Sequence, residues 1–291
     1  LPEPSDSIRN EVRSYALSHG LSFYNLREHE GLLRNMVVRI TTTGEVMVIV
    51  VFARDEKKSR EKLLEHLNVK FPEITSLWYI INTKKNDSLT DQIPVRHSGK
   101  EYITERMDEH EFRVGPKSFY QTNSRQAARL YETVNEFAGL TGSENVYALY
   151  TGTGTIACFV ATGASMVTGI EYVEEAVADA RINAMINKID NAVFIAGDMK
   201  DILNEDLFRE RGRPDVIITD PPRAGMHEDV VSMILNSGAK KIVYVSCNPA
   251  TQARDIGLMS SEYEVKMVQP VDMFPQTFHV ENVVLMEKKS A

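Results

Sequence analysis

Cysteine and histidine are scarce in this sequence. Only two cysteines, Cys158 and Cys247, occur among 291 residues, which excludes a disulfide framework and any four-cysteine zinc or iron–sulfur site within this chain. The seven histidines show no metal-ligand spacing, so we expect no metal. Each thiol therefore serves either packing or chemistry.

Long apolar runs are also missing. No run approaches the roughly 20 residues that a bilayer-spanning helix needs, and the opening segment "LPEPSDSIRN" lacks the basic-then-apolar pattern of a signal peptide. We therefore expect a cytoplasmic, monomeric protein without membrane contact. The formal net charge of −8 argues against indiscriminate binding to polyanions, but it leaves room for a local basic groove.

The patterns that are present divide near residue 110. Over residues 1–110, a helix followed by two strands occurs twice, which indicates a small α+β domain with an antiparallel sheet. Over residues 111–291, short apolar strands such as "NVYALYT" and "KKIVYVSC" alternate with helical stretches, which predicts an α/β domain with a mostly parallel, doubly wound sheet. Ligands bind such sheets at the carboxyl ends of the strands.

The first strand of the second domain ends in a glycine-rich turn. In "YTGTGT", Tyr150 to Thr155, the glycines Gly152 and Gly154 allow a tight turn and a close approach of the backbone to a ligand. Glu171 ends the next strand about 20 residues further along the chain. This is the sequence separation at which a carboxylate that binds a ribose diol usually follows the glycine turn. Together they indicate a nucleotide-like cofactor.

The third and fourth strands also end in carboxylates. Asp198 in "AGDM" either accepts a hydrogen bond from an adenine amino group or caps the helix that begins at Met199. The fourth strand runs into "DPPRAG", where two proline rings stiffen a loop that holds Asp220 at a fixed position. This loop separates the domain from NAD-dependent enzymes.

Five motifs occur in the order typical of one enzyme family. The segments "SFYQTN", "LYTGTGT", "DPPRAG", "VSCNPATQARD" and "DMFPQTFHVENVVL" resemble, in sequence and order, those of the RNA uracil-5-methyltransferases, which modify transfer and ribosomal RNA. The resemblance covers residues 112–290. It implies a class I methyltransferase, Rossmann-like catalytic domain, S-adenosyl-L-methionine as cofactor, and an RNA partner, with a uridine of 23S rRNA favoured over one of tRNA.

The resemblance also implies roles for individual residues. Carbon 5 of uracil is a weak nucleophile, so a thiolate first adds to carbon 6, and Cys247 at the end of "VYVSC" matches that thiol. Glu281 matches the base that then removes the hydrogen of carbon 5; its alternative reading is a polar residue on an edge strand. The implied cofactor-binding residues are Gln121, Tyr150, Gly152, Thr155, Glu171, Asp198 and Asp220.

Several neighbouring residues have two readings. Arg223 pairs with a phosphate or a carboxylate, or caps its loop, and His279 orients the base or holds RNA. Cys158 lies among apolar neighbours and is read as core. Phe278 departs from the family, which often has histidine or glycine there.

The small domain has nearly balanced charges and is the better candidate for an RNA-facing surface. Lys84 and Lys85 could contact phosphates while Tyr79 and Tyr102 stack on bases, or the aromatics are sheet core and the lysines a solvated turn. We favour core for Trp78.

Other functions remain open beside uracil-5-methylation. Amino-group methylation of a base usually needs an aromatic residue after the two prolines, where this chain has Arg223. RNA cytosine-5-methylation normally places a cysteine in that loop, and none is there. A catalytically silent, methyltransferase-like RNA-binding module would have no need of Cys247 and Glu281.

Overall fold

A computed structural model describes residues 3–89 and 91–290. The chain forms two compact units, of which the first comprises Leu1–Arg106 and Arg113–Ser118 and the second comprises Met107–Phe112 and Phe119–Ala291. Each unit has a hydrophobic core of its own. The assignment of residues 1–110 and 111–291 to separate domains with separate roles stays a prediction.

The first unit is a four-stranded sheet with two helices. Its elements are α1 (Ser5–Ser18), β1 (Leu33–Ile40), β2 (Val46–Phe52), α2 (Lys57–Lys70), β3 (Ile74–Ile81) and β4 (Val95–Gly99), with the strands in the order β1-β2-β3-β4. All seven residues of β2 are buried. Leucines of α2 and Ile8 of α1 pack in the same cluster.

The expectation of an antiparallel sheet in this unit was wrong in one place. The pairs β1–β2 and β3–β4 are antiparallel, but β2 and β3 are parallel. The reason is that α2 connects β2 to β3 and returns the chain to the end where β2 began, so both strands run in the same direction.

Three of the aromatic and basic residues proposed for RNA contact have partners within the protein. Trp78 is half-buried and donates its indole N–H to Ser76 at 2.7 Å. The ring of Tyr79 lies under the guanidinium of Arg60, 4.4 Å from its centroid. Lys84 pairs with Asp91. These contacts favour the core reading of the aromatics, while an RNA-facing role for this unit stays a prediction.

Two short strands follow and pair as a two-stranded sheet: β5 (Ile103–Met107) and β6 (His110–Val114). The second unit then continues with α3 (Ser124–Ala138), β7 (Asn145–Leu149), α4 (Thr155–Ala161), β8 (Met166–Glu171), α5 (Glu174–Ile186), β9 (Ala192–Ala196), α6 (Met199–Ile202), α7 (Glu205–Arg211), β10 (Val216–Thr219), α8 (Glu228–Ser237), β11 (Lys241–Ser246), α9 (Pro249–Met259), β12 (Tyr263–Val271) and β13 (Glu281–Lys288).

The sheet of the second unit has seven strands in the order β12-β13-β11-β10-β7-β8-β9. The five strands from β11 to β9 are parallel, whereas β13 runs antiparallel to β11, and β12 antiparallel to β13. This confirms the mostly parallel, doubly wound sheet. The strand order reverses between β7 and β10, so a crevice for a ligand is expected at the carboxyl ends of these strands.

Both faces of this sheet are covered by helices. Successive residues of β7 alternate between two cores: Val146 and Ala148 pack with α3, α4 and α5, whereas Tyr147 and Leu149 pack with α7 and α8. A strand that is buried on both faces has no polar face, which is why these strands are continuous apolar runs in the sequence. None of the helices within the described residues is long and apolar enough to cross a membrane.

Candidate active site

The turn after β7 has an unusual backbone. Tyr150, Gly152 and Gly154 all have positive φ angles, of 59°, 53° and 79°. A Cβ on Gly154 would lie 2.8 Å from the Cβ of Ala180, so only glycine fits there. A Cβ on Gly152 would meet no atom within 4 Å, so the backbone at this position faces open space where a ligand can approach.

Glu171 is joined to this turn by a hydrogen bond. One carboxylate oxygen accepts the N–H of Gly152 at 3.0 Å, and the other accepts the N–H of Val173 at 3.0 Å. The structure therefore brings together the glycine turn and the carboxylate that the sequence paired. Each oxygen keeps a lone pair, so the carboxylate is oriented and can still accept from a diol.

Asp198 caps the short helix α6. It accepts the N–H of Lys200 at 3.2 Å, which is the capping alternative from the sequence; a contact with adenine stays a prediction. Burial and the negative charges of Asp198, Asp255 and Glu171 raise the pKa of the Tyr150 hydroxyl to about 12. Carboxylates that follow the second and third strands thus act electrostatically on the tyrosine that follows the first.

Thr155 and Gln121 are both linked to helix α3, the first by a hydrogen bond and the second by its place in the chain. Thr155, buried at the start of α4, hydrogen-bonds to the hydroxyl of Tyr131 on α3. Gln121 is half-buried just before α3. Two residues later, Asn123 caps α3 and donates its side-chain N–H to the carbonyl of Met273 at 3.0 Å, which joins the "SFYQTN" motif to the loop that leads to Glu281.

Asp220 follows β10 and donates its own backbone N–H to the carbonyl of Leu149 at 3.3 Å. Burial of the carboxyl group and the nearby negative charge of Glu281 raise the pKa of Asp220 to about 8. Asp220 is therefore largely protonated at neutral pH and can donate a hydrogen bond in the crevice.

A buried carboxylate that the sequence analysis missed supports this loop. Asp255 on α9 is fully buried and accepts the N–H of Met226 at 2.8 Å and the hydroxyl of Tyr244 at 2.6 Å. A Cβ on Gly225 would lie 2.6 Å from the same carboxylate. The only sequence signal was the polar "TQARD" that follows Cys247, which by itself resembles an exposed helix.

Cys247 and Glu281 lie at the same end of two paired strands. Cys247 follows the last residue of β11, and Glu281 is the first residue of β13. Asn282 on β13 lies opposite Ser246 on β11; Cys247 follows Ser246, and Glu281 precedes Asn282. The reading of Glu281 as an edge-strand residue is wrong, because β13 lies between β11 and β12 and Glu281 is only 8% exposed.

A buried glutamine ties these two strands together. Gln252 on α9 donates to the carbonyls of Tyr244 at 2.8 Å and Asn282 at 3.1 Å, and it accepts from the Asn282 side chain at 2.7 Å. Two hydrogen bonds to the Asn282 residue thus fix the strand end that begins at Glu281. No local sequence pattern predicts this role for Gln252.

Charged side chains near Cys247 and Glu281 influence the pKa values of both groups. Burial and the charges of Glu281 and Asp220 raise the pKa of the Cys247 thiol, while Arg223 opposes the rise. Burial also raises the pKa of Glu281, again opposed by Arg223. A thiol, a carboxyl base and a neutral acid within mutual electrostatic reach can carry out nucleophilic addition followed by proton removal.

Arg223 also contacts His279: its Nη2 lies 3.4 Å from the imidazole Nδ1. The carbonyl of Arg223 accepts from the side chains of Asn248 at 3.0 Å and Thr251 at 3.1 Å. The "DPPRAG" loop is thus fixed to the start of α9.

The second thiol belongs to the core. Cys158 on α4 is fully buried among apolar side chains, and burial raises its pKa to about 12. Across residues 3–89 and 91–290, no group of three or more His, Cys, Asp or Glu side chains is placed to hold a metal ion.

Related sequences cover most of this chain. An uncharacterized RNA methyltransferase of Bacteroides thetaiotaomicron is 59% identical over 286 residues, which are 97% of this chain and 63% of the relative. One of Halalkalibacterium halodurans is 38% identical over 290 residues, 99% of this chain and 63% of the relative. The chain thus spans less than two thirds of the length of these relatives.

A solved structure is similar to this chain over most of its length. The tRNA (uracil-54, C5)-methyltransferase of Pyrococcus abyssi, solved in complex with S-adenosyl-L-homocysteine, matches with a TM-score of 0.78 and 32% identity over 95% of this chain and 65% of that one. The M. jannaschii tRNA m1G37 methyltransferase matches with a TM-score of 0.54 at 13% identity over 92% of this chain and 79% of that one, which shows the fold alone. The class I methyltransferase fold expected from the sequence is confirmed.

The family comparison agrees with the order of the motifs. The family model described as tRNA (Uracil-5-)-methyltransferase matches residues 37–289, which include every residue proposed above for the site. The resemblance stated from the sequence is confirmed. The chain belongs to the tRNA (uracil-5-)-methyltransferase family.

Proposed function

We propose that this chain methylates carbon 5 of a uridine in RNA, with S-adenosyl-L-methionine as methyl donor and a covalent bond between Cys247 and uracil as intermediate. The observation that carries the proposal is the pairing of β11 with β13, since it brings Cys247 and Glu281 to one edge of the sheet. Asp220 lies within electrostatic reach of both.

The residues around the glycine turn fit the cofactor. Open space at Gly152 admits a ligand to the backbone, and Glu171 keeps acceptor capacity for a ribose diol. The Pyrococcus abyssi relative was solved with S-adenosyl-L-homocysteine, which supports the same assignment. The proposed cofactor contacts are Gln121, Tyr150, Gly152, Thr155, Glu171, Asp198 and Asp220.

The proposed reaction begins at Cys247. Its thiolate forms a bond to carbon 6 of uracil, and the electron pair of the 5,6 double bond moves into an enolate that makes carbon 5 nucleophilic. S-Adenosyl-L-methionine supplies the electrophilic methyl group when bound. Because burial raises the pKa of Cys247, the resting thiol is protonated and first loses its proton to solvent water, and the positive charge of Arg223 favours the resulting thiolate.

Glu281 completes the proposed reaction. Its carboxylate accepts the proton from carbon 5, the double bond re-forms between carbons 5 and 6, and the bond from carbon 6 to sulfur breaks, which restores the thiolate. Arg223 lowers the pKa of Glu281 against the effect of burial, so a nearby cation helps to keep this group ionised. Asp220, as a neutral acid, can donate a hydrogen bond to the uracil.

The variant Glu281→Gln tests this mechanism, because it should stop the reaction at the covalent protein–RNA adduct. Glutamine keeps the shape of Glu281 but cannot accept the proton, so addition and methylation proceed while elimination stops. With labelled cofactor and uridine-containing RNA, we expect a protein–RNA complex that survives denaturing electrophoresis. Uridine-free RNA and the double variant Cys247→Ala/Glu281→Gln are the matched controls, and neither should give a complex.

Three outcomes contradict the assignment. Normal turnover by Glu281→Gln would move the search for the base to Asp220. A complex that persists without Cys247 would remove Cys247 as the nucleophile. Methylation that needs neither residue would favour amino-group chemistry instead.

For the RNA itself, we propose a uridine of 23S rRNA first and a transfer RNA second. The transfer RNA alternative is favoured by the Pyrococcus abyssi enzyme, which acts on uracil 54 of tRNA. Unmodified transcripts of both should be incubated separately with the protein and labelled cofactor, with Cys247→Ala as the control. Label in only one transcript selects that substrate.

A further inference from the structure

The loop between β12 and β13, residues 272–280, carries an aromatic side chain exposed to solvent. Phe278 is 89% exposed, the highest fraction among the large hydrophobic side chains that the structure describes. Exposure of a whole phenyl ring forgoes the stabilisation that burial of its apolar surface would give. An aromatic ring in this position is therefore available to a binding partner.

The loop that holds Phe278 is ordered by its own hydrogen bonds. Met273 is fully buried, and its carbonyl accepts from Asn123 at 3.0 Å. Thr277 donates its backbone N–H at 2.9 Å and its hydroxyl at 3.0 Å to the carbonyl of Phe274, and its hydroxyl accepts the N–H of His279 at 3.1 Å. The residues on both sides of Phe278 are thus fixed.

Phe278 is connected to the candidate active site through two neighbours. Its ring centroid lies 4.3 Å from that of His279, whose Nδ1 lies 3.4 Å from Arg223. The charge of Arg223 in turn acts on Cys247 and Glu281. The phenyl ring, the imidazole and the guanidinium therefore form a row of neighbouring groups. The row begins at the solvent, and its last member acts electrostatically on Cys247 and Glu281.

We propose that Phe278 and His279 form a stacking platform for an unpaired RNA base next to the target uridine, with Arg223 beside the RNA backbone. This inference rests on the proposed function. A uridine that enters a site lined by Cys247 and Glu281 must leave its base stack, and its neighbour then loses a stacking partner. An exposed ring beside a cation suits an unpaired base and its phosphate.

The position of the platform favours RNA over a protein partner. The cationic Arg223 contacts one member of the platform and acts electrostatically on the reacting pair, so an occupant of Phe278 lies close to the substrate. Phe278 itself lies three residues before Glu281 in the chain. A nucleic acid that already delivers uridine to this edge of the sheet is the partner whose charge complements Arg223.

The test uses a single-stranded RNA dodecamer with one central uridine among adenosines, and an abasic counterpart that lacks the bases on both sides of the uridine. Affinities are measured by fluorescence anisotropy with S-adenosyl-L-homocysteine present. For Phe278→Ala, and for wild type with the abasic RNA, we expect roughly 5- to 100-fold weaker binding, the range for loss of one stacked base. When Phe278→Ala is combined with the abasic RNA, the affinity should fall no further than with either change alone.

Two matched variants complete the test. Phe278→Trp should keep wild-type affinity, because it keeps a stacking surface. Met185→Ala removes another large side chain, which is 71% exposed on α5, and should change nothing. Wild-type affinity of Phe278→Ala, losses that multiply in the combined experiment, or no measurable affinity of the wild-type protein for the dodecamer would each overturn the platform.

The chemistry is tested separately from the platform. If the wild-type protein binds the dodecamer through Phe278 but incorporates no methyl group into uridine-containing RNA, the platform stands and the proposed function fails. If methylation occurs and Phe278→Ala binds normally, the proposed function stands and the platform fails. A protein partner would give the second result.

Discussion

The hydroxyl of Tyr244 donates a 2.6 Å hydrogen bond to the carboxylate of Asp255, and both side chains are fully buried. Tyr244 belongs to β11, three residues before Cys247, and Asp255 belongs to α9. The same carboxylate accepts from the backbone of Met226, which follows the loop of Asp220. One buried carboxylate therefore joins the strand before Cys247 to the loop of Asp220.

Replacement of Asp255 by Asn should destabilise the protein and slow the reaction. The amide offers one acceptor oxygen where the carboxylate offers two, and its NH₂ group faces donors, so we expect a loss of about 1 to 3 kcal/mol in the free energy of unfolding. Denaturant unfolding measures this loss. Asp190→Asn, at an exposed position, is the control and should fall within about 0.5 kcal/mol of wild type.

Replacement of Glu171 by Gln should weaken cofactor binding. The amide cannot accept from both Gly152 and Val173 as the carboxylate does, and it loses the charge that strengthens hydrogen bonds to a diol. We expect affinity for S-adenosyl-L-homocysteine to fall by about 1 to 3 kcal/mol, measured by calorimetry. Glu174→Gln, on the exposed start of α5, is the matched control. An unchanged dissociation constant would leave Glu171 as a turn residue only.

The titration of Asp220 should make stability depend on pH. Its pKa rises from an ordinary value of 3.8 to about 8 in the folded protein, so between these values the folded state holds a proton that the unfolded state has lost. The contribution of Asp220 to the free energy of unfolding therefore declines as the pH rises from about 4 to about 8.

The variant Asp220→Asn removes this contribution. We expect its stability relative to wild type to improve steadily across that pH range, as measured by denaturant unfolding at several pH values. Asp190→Asn controls for the loss of one negative charge. A difference between Asp220→Asn and wild type that is constant with pH would contradict the raised pKa.

The two thiols should differ in reactivity. With a disulfide reagent that reports released thiolate, the native protein should show one reactive thiol, Cys247, whose rate rises with pH because its pKa is raised. Cys158 is fully buried and should react only after unfolding. Cys247→Ala should abolish the native reaction, and Arg223→Gln should slow it at neutral pH. Two reactive thiols in the native protein would contradict the burial of Cys158.

Much of the second unit could be predicted from the sequence, because its parallel strands are buried on both faces and are therefore continuous apolar runs. The carboxylates at the strand ends could be recognised from their positions just after those runs. Asp255 and Gln252 could not, because a polar residue in a helix has the same local pattern whether it faces solvent or a buried partner.

The direction of strand pairing was also hard to predict. The relation of β2 to β3 depends on where α2 returns the chain, and the place of β13 between β11 and β12 depends on pairing between segments that are distant in the sequence. Neither feature can be predicted from a short segment of the sequence. The same pairing rules out the edge-strand alternative for Glu281, over which the order of the motifs favours a role as base.

The antiparallel ladder between β11 and β13 has a consequence for tolerance to insertions. Residues 248–280 separate Cys247 from Glu281 along the chain, but the ladder, and not the length of that segment, sets their spacing. Added residues in the turn between α9 and β12 would lengthen the connection at small entropic cost. A single residue inserted between Glu281 and Asn282 would instead turn the carboxylate toward the opposite face of the sheet.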